Sequence, residues 1–185
     1  MNEEKHWDKI GEKYDNQIFD VFKSDRNNIL PAFFKKHAKK SGTAIDFGCG
    51  TGKSFEYIAR LFKQVVAVDI SRELLNQARK RPFSNITFKQ ADLTTARLTL
   101  PRADFAFCCN VAICDDNKKN YAILNTVVEG LKKGGSAVIV VPSYEASAMA
   151  FLEILKMYKK EGIGISKIPA SEFIPKFSTV DAAKN

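Results

Sequence analysis

Apolar residues return along this chain in two rhythms. Near-continuous runs such as Val65-Val66-Ala67-Val68 and Ala137-Val138-Ile139-Val140-Val141 read as strands covered on both faces. Between such runs, apolar positions recur every three or four residues, the spacing of one helix face. The pattern predicts strands over 43–47, 65–69, 86–90, 103–108 and 136–141, with helices near 53–62, 71–80, 117–131 and 144–160. Strands separated by helices imply right-handed crossovers and a mostly parallel sheet. Lys132-Lys133-Gly134-Gly135 reads as the end of a helix, basic and glycine-capped, before the last strand.

Upstream of the first strand the rhythm is helical. Trp7, Ile10, Tyr14, Ile18, Val21 and Phe22 fall on one face and predict a single amphipathic helix running through Gly11. A second helix is expected from Ser24, as N-cap, to Lys40, with Ile29, Leu30, Phe33, Phe34 and His37 inward and Pro31 bending it. After Lys160 two glycines and two prolines interrupt any pattern. The expected division is an N-terminal helical lid over 1–40, a core over 41–161 and an irregular tail over 162–185.

Composition narrows the class. A chain of 185 residues with 45% apolar content suits one domain that buries its own core. The net charge of +8 would favour a nucleic-acid partner only if the bases clustered, and Lys35-Lys36, Lys39-Lys40, Arg79-Lys80-Arg81 and Lys159-Lys160 stand far apart. Cys49, Cys108, Cys109 and Cys114 have no CxxC spacing and the chain has two histidines, so no metal site is expected. Without a signal-peptide pattern or an apolar run long enough for a bilayer, the expected setting is a reducing cytoplasm.

The chemistry concentrates in AIDFGCGTGKS, residues 44–54, which admits four readings. Gly52-Lys53-Ser54 ends like a P-loop, but the glycine that must help wrap the phosphates falls on Phe47. Asp46-Phe47-Gly48 spells a kinase triplet, yet the helical residues before it hold no catalytic loop. A dinucleotide site finds strand, glycine turn, helix and the acid Asp69 in order, but its third glycine falls on Lys53 and it has no use for Asp46. The fourth reading is a methyl-donor site. There Asp46 holds an ammonium group, the glycines let bare backbone approach a sulfonium-linked ribose, and Asp69 accepts from both ribose hydroxyls.

With IDFGCGTG the chain resembles the class I S-adenosylmethionine (SAM)-dependent methyltransferases. VVAVDIS looks like the second strand with its ribose-binding acid, ITFKQADLTT like the third strand and the adenine-contacting Asp-Leu pair, ADFAFCCNVAIC like the fourth, and LKKGGSAVIVVPS like the run into the fifth. The upstream YDNQIFDVF resembles the helix that closes over the cofactor. The resemblance implies an α/β, Rossmann-like three-layer sandwich with a mostly parallel sheet in the order 3-2-1-4-5, N-terminal helices over the cofactor site, and SAM as cofactor. It places Asp46, Gly48, Cys49, Gly50 and Gly52 around the methionine and ribose portions and Asp69 on the ribose diol. Ile70 then packs beside the adenine, Asp92 accepts from its amino group, and Leu93 is the apolar neighbour. Asn110 sits near the methionine moiety and Tyr14 in the lid. Each residue also has a plainer reading as turn former or helix-end charge, but such residues at successive strand ends match where open α/β sheets bind ligands.

In-line methyl transfer can be driven by positioning alone, so no catalytic base is expected. Where amino-directed nucleic-acid methyltransferases carry Asn- or Asp-Pro-Pro-aromatic, this chain has Asn110-Val111-Ala112-Ile113, which turns the expectation to a small-molecule acceptor. Asp115 and Asp116 read as charges at a helix N-terminus. Cys108 and Cys109 are expected on opposite strand faces, so they form no single thiol pocket. A SAM-binding protein without turnover and a nicotinamide oxidoreductase are the competing classes. The family's sixth and seventh strands have no counterpart after Lys160, which suggests a fragment of a longer enzyme and leaves SAVIVVP as an apolar edge inviting self-association.

Overall fold

The structure is a computed structural model that describes residues 3–11, 20–95, 98–114 and 116–168. Its centre is one five-stranded sheet in the order β3-β2-β1-β4-β5, with β1 Lys39–Phe47, β2 Phe62–Asp69, β3 Ile86–Gln90, β4 Ala103–Cys109 and β5 Leu131–Val140. Every pairing is parallel, so the five C-terminal strand ends share one edge. The helices are α1 Glu3–Gly11, α2 Val21–Ser24, α3 Ile29–Lys36, α4 Phe55–Ile58, α5 Arg72–Ala78, α6 Asn117–Glu129 and α7 Tyr144–Lys160.

Alternation along the strands sends side chains to two cores. Ile45, Phe47, Val66, Val68, Ala106 and Cys108 meet Ile123 and Val127 of α6 on one face. Ala44, Val65, Phe105 and Phe107 meet Leu30 and Phe34 of α3 and Ile58 of α4 on the other. Phe34 sits edge-on to Phe105 and Phe107, with centroids 5.8 and 5.0 Å away. Phe55, Leu75 and Ala78 extend that side towards α5. The expected three-layer α/β sandwich and strand order are those observed.

The strands begin earlier than their apolar runs. β1 starts at Lys39 rather than at 43, and β5 at Leu131 rather than at 136. Lys132, Lys133, Gly134 and Gly135 therefore belong to a strand, not to a helix end. The physical reason is Asp104, whose largely buried carboxylate accepts from Lys39 Nζ at 2.6 Å, Lys132 Nζ at 2.8 Å and the Thr43 N–H at 2.9 Å. It ties the polar starts of β1, β4 and β5 together. Those bonds hold its pKa well below the usual carboxylate range. α6 stops earlier than expected, at Glu129, and Gly130 follows where the Phe47 ring would meet an added Cβ at 2.8 Å. The helix expected over 53–62 shrinks to Phe55–Ile58, because Phe62 is drawn into β2 opposite Lys39.

The N-terminal helices are also broken differently. α1 ends at Gly11, and Val21 and Phe22 lie in a separate short turn whose Asp20 cap accepts from the Lys23 N–H at 3.1 Å. α3 starts at Ile29, because Asp25 accepts from the N–H groups of Ile29 and Leu30 at 2.9 and 2.8 Å; Ser24 is not its cap. Pro31 then falls in the first turn, where a missing N–H costs nothing. Leu30 and Phe34 are buried, but Ile29 and Phe33 face solvent, since so short a helix turns one narrow stripe to the sheet. Tyr14, Ile18 and Asp115 lie outside the described residues. α7 has the expected bounds, and a 3-10 turn over Ile165–Lys167 precedes the buried Ile168. No helix among the described residues is long and apolar enough to cross a membrane.

Candidate functional site

Asp46, the glycine turn, Asp69, Ile70, Asp92 and Asn110 all lie at or just beyond strand ends on one edge of the sheet. Gly48, Gly50 and Gly52 have φ of +71°, +53° and +76°, the left-handed region that glycine enters at little cost. Space is as restrictive as conformation. A Cβ on Gly48 would stand 2.2 Å from Val111 Cγ2, and one on Gly52 2.3 Å from the Phe55 ring. The N–H groups of Gly48 and Cys49 donate to Val68 O at 2.7 and 3.0 Å, pinning the turn to β2.

Two acids are buried beneath this turn. Asp69 accepts from the Gly50 N–H at 2.8 Å through one oxygen and from the Ser71 N–H at 2.9 Å through the other, which leaves each oxygen further acceptor capacity. Asp46, 2% exposed, accepts from the Ser54 hydroxyl. Burial pushes the Asp46 pKa up to about 7, and the neighbouring Asp69 charge adds to that rise while the Ser54 bond opposes it. Burial raises Asp69 as well, against three backbone donors. At the end of β4, Asn110 takes φ +56°, a left-handed conformation that asparagine tolerates better than most residues, while its N–H donates to Val140 O at 2.8 Å.

The N-terminal helix closes the β2–β3 side of this edge. Asp8 accepts from the Ser71 hydroxyl at 2.5 Å and from the Glu73 N–H at 3.2 Å, capping α5 from outside. Glu4 accepts from Gln90 Nε2 at 2.9 Å, and Glu3 pairs with Lys119 of α6. Beneath these bridges lies a cavity of about 540 Å³ lined by Glu3, Glu4, Ile70, Gln90, Asp92 and Lys119, among others. Asp92 is oriented there by the N–H and hydroxyl of Thr94, at 2.8 and 2.7 Å. Of the expected residues Ile70 and Asp92 line this cavity, and Leu93 does not. Its side chain is packed in the core beside α6.

The thiols divide as alternation requires, with Cys108 in the α6 core and Cys109 against the α3 side. Burial pushes both up to about 12, and Cys49 well above its ordinary value, so all three stay protonated. Among the described residues, no group of three His, Cys, Asp or Glu is placed to hold a metal ion. Sequence reasoning missed Ser54, Asp8, Gln90 and Lys119. Ser54 lay in plain view inside the P-loop-like Gly-Lys-Ser. Asp8 had no local signal, because Ser71 stands 63 residues away along the chain.

Comparison with known proteins agrees with this geometry. A family model described as a methyltransferase domain matches residues 44–135. The chain is 30% identical over 122 residues to the cypemycin N-terminal methyltransferase of Streptomyces sp, covering 60% of this chain and 46% of that protein. It is 32% identical over 104 residues to the trans-aconitate 2-methyltransferase of Sinorhizobium fredii, covering 55% of this chain and 39% of the other. The chain thus spans less than half the length of each of these curated relatives. Among solved structures, the DhpI-SAH complex superposes with a TM-score of 0.65 at 20% identity, over 76% of this chain and 68% of that one. The N-methyltransferase NodS of Bradyrhizobium japonicum WM9 superposes with a TM-score of 0.59 at 16% identity, over 75% and 72%. Strand order, glycine turn and matched domain converge: residues 44–135 match the methyltransferase domain, on the α/β fold shared with the SAH-bound structures.

Proposed function

We propose that this chain binds SAM at the strand-end edge and serves methyl transfer to a small-molecule acceptor by in-line displacement. The observation that carries the reading is the pair of buried acids under a glycine turn with no room for a side chain at Gly48 or Gly52. This set fits a cationic, ribose-bearing donor. In that role SAM supplies an electrophilic methyl group on a sulfonium. Asp46 holds the ammonium group, with Ser54 fixing one carboxylate oxygen so that the other is free to accept. Gly48, Cys49, Gly50 and Gly52 present backbone to the methionine and ribose portions, and Asp69 accepts from the ribose hydroxyls. Ile70 and Asp92 take the adenine in the cavity beneath α1, and Asn110 stands by the methionine moiety. In this reading residues 1–40 form the lid, 41–161 the donor-binding core and 162–185 a tail, with Tyr14 in the lid.

The small-molecule acceptor is supported by Asn110-Val111-Ala112-Ile113 in place of a Pro-Pro-aromatic stretch and by the trans-aconitate named for one relative. Four free cysteines fit a reducing cytoplasm. The outer edge of β5, with Ile139 and Val141 exposed, fits self-association.

Calorimetric titration with SAM, S-adenosylhomocysteine and NAD tests the reading. SAM and its product are expected to bind and NAD not; tight NAD binding without either sulfur ligand overturns it. Asp69→Ala should cost SAM binding about 1.5–3 kcal/mol, roughly 10- to 150-fold, because it strips a charged acceptor from two hydroxyls. Unchanged affinity would remove Asp69 from the site.

A further inference from the structure

Basic residues far apart in the sequence meet at the end of the sheet opposite the proposed donor site. Lys39 and Lys132 share Asp104 at 2.6 and 2.8 Å. Lys40 Nζ donates to Arg60 O in the turn that leads into β2, where Lys63 follows Phe62, the register partner of Lys39. Arg102 reaches Leu131 O at 3.4 Å, two residues before Lys133. Six exposed cations therefore stand at the starts of β2, β1, β4 and β5. At about 4.8 Å between strands, they form a row about 14 Å long. Asp104 is already engaged by two of them, and Glu129 flanks the row beside Arg102. At the other end of the sheet stand Asp8, Asp46, Asp69 and Asp92. The two ends of the sheet thus differ in the sign of these charges.

We propose that this row is a docking surface for nucleic acid, gripping the phosphate backbone of a strand laid across the strand starts. Adjacent lysines on a strand face opposite ways, so the cations form a band along the strand starts that can flank a line of phosphates, and five of the six are lysines, which act as point charges on phosphate. The row carries no aromatic side chain for base stacking, so the contact is with backbone and independent of sequence. A bilayer would call for apolar groups beside the cations. The exposed Val128 adjoins Glu129 at this end, but one valine gives no apolar patch to enter a bilayer. The bound strand lies away from the glycine turn, so it is a tether and not the methyl acceptor.

Fluorescence anisotropy with a labelled single-stranded RNA, repeated across a salt series, tests the surface. The triple variant Lys40→Glu, Lys63→Glu, Lys133→Glu leaves the Asp104 pairs intact. It should lose at least about tenfold in affinity and shed about 2 from the salt slope, at about 0.7 per lost phosphate contact. Lys80→Glu, Lys159→Glu, Lys160→Glu makes the same charge change on other exposed lysines and should bind nearly as the parent does. Equal loss in both variants, or none in the first, overturns the proposal. So does binding of the parent to phosphatidylserine vesicles without binding to RNA. Circular dichroism melting reports folding, and if the glutamate triple melts early, the same three positions changed to glutamine are read against the same outcomes.

Discussion

Asp46 accepts the Ser54 hydroxyl while almost wholly buried beside Asp69, and its pKa of about 7 makes it the residue through which pH reaches the site. The folded value lies above the unfolded 3.8, so the folded chain keeps a proton that the unfolded chain gives up between the two. Stability from this group is whole below about pH 4 and is lost as pH rises through about 7. Asp104 has the opposite sign. Its lowered pKa contributes stability that is present above the unfolded value of 3.8 and is lost as pH falls through the folded value. The melting temperature of the ligand-free protein should therefore fall from about pH 5 to about 8. SAM should stabilise more as pH rises through that range, because an ammonium group favours the ionised carboxylate and expels its proton. Calorimetry in buffers of different ionisation heat should find that proton near neutral pH; a SAM affinity flat across the range would show that Asp46 does not face the ammonium. Asp46 and Asp69 were legible because an acid, alternate glycines and a second strand-end acid have fixed spacings. Spacing does not say which way a turn residue points, and Leu93 points into the core beside α6.

Polar bridges join α1 to the body: Asp8 on α5, Glu4 on Gln90 and Glu3 on Lys119. This helix contains Trp7, the chain's single tryptophan, so its release from the body can be followed separately. Asp8→Ala removes an acceptor from the Ser71 hydroxyl and the Glu73 N–H and should weaken the attachment by about 1 kcal/mol, the scale of a lost helix cap. In urea the Trp7 transition should move to lower concentration while the far-ultraviolet dichroism of the sheet stays where it was. Coincident shifts of both signals would mean that α1 and the sheet unfold as one. The strands were legible at their ends and not at their starts. Apolar runs mark where two covering layers meet, whereas 39–42 and 131–135 are mostly polar or glycine, and only Lys39 and Leu131 pair there, with Phe62 and Ala103, before the register shifts. Asp20, extended and capping Val21–Ser24, divided what one helical period had joined.

For the whole molecule, the strand order follows from crossovers of one hand and from β1 being buried on both sides by β2 and β4. Asp104 is the fastening shared by three of the five strands, and its lysine partners are about half exposed, which screens part of their charge. Asp104→Ala should lower stability by about 1–3 kcal/mol at neutral pH, mainly by orphaning the Thr43 N–H and parting the strand starts. Asp104→Asn, which still accepts from Thr43, should recover part of that loss in the same melt. The clustering of bases beneath the sheet was invisible in the sequence because it depends on register, which brings Lys39 and Lys132 to one carboxylate. Register also orders events during synthesis. A chain emerging from the ribosome can close β1 on β2 once Asp69 is out, but the other side of β1 must wait for Cys109. At ordinary elongation rates that is about 2–8 s in which the central strand of the finished sheet is an open, apolar edge. A chaperone has its opportunity in that interval.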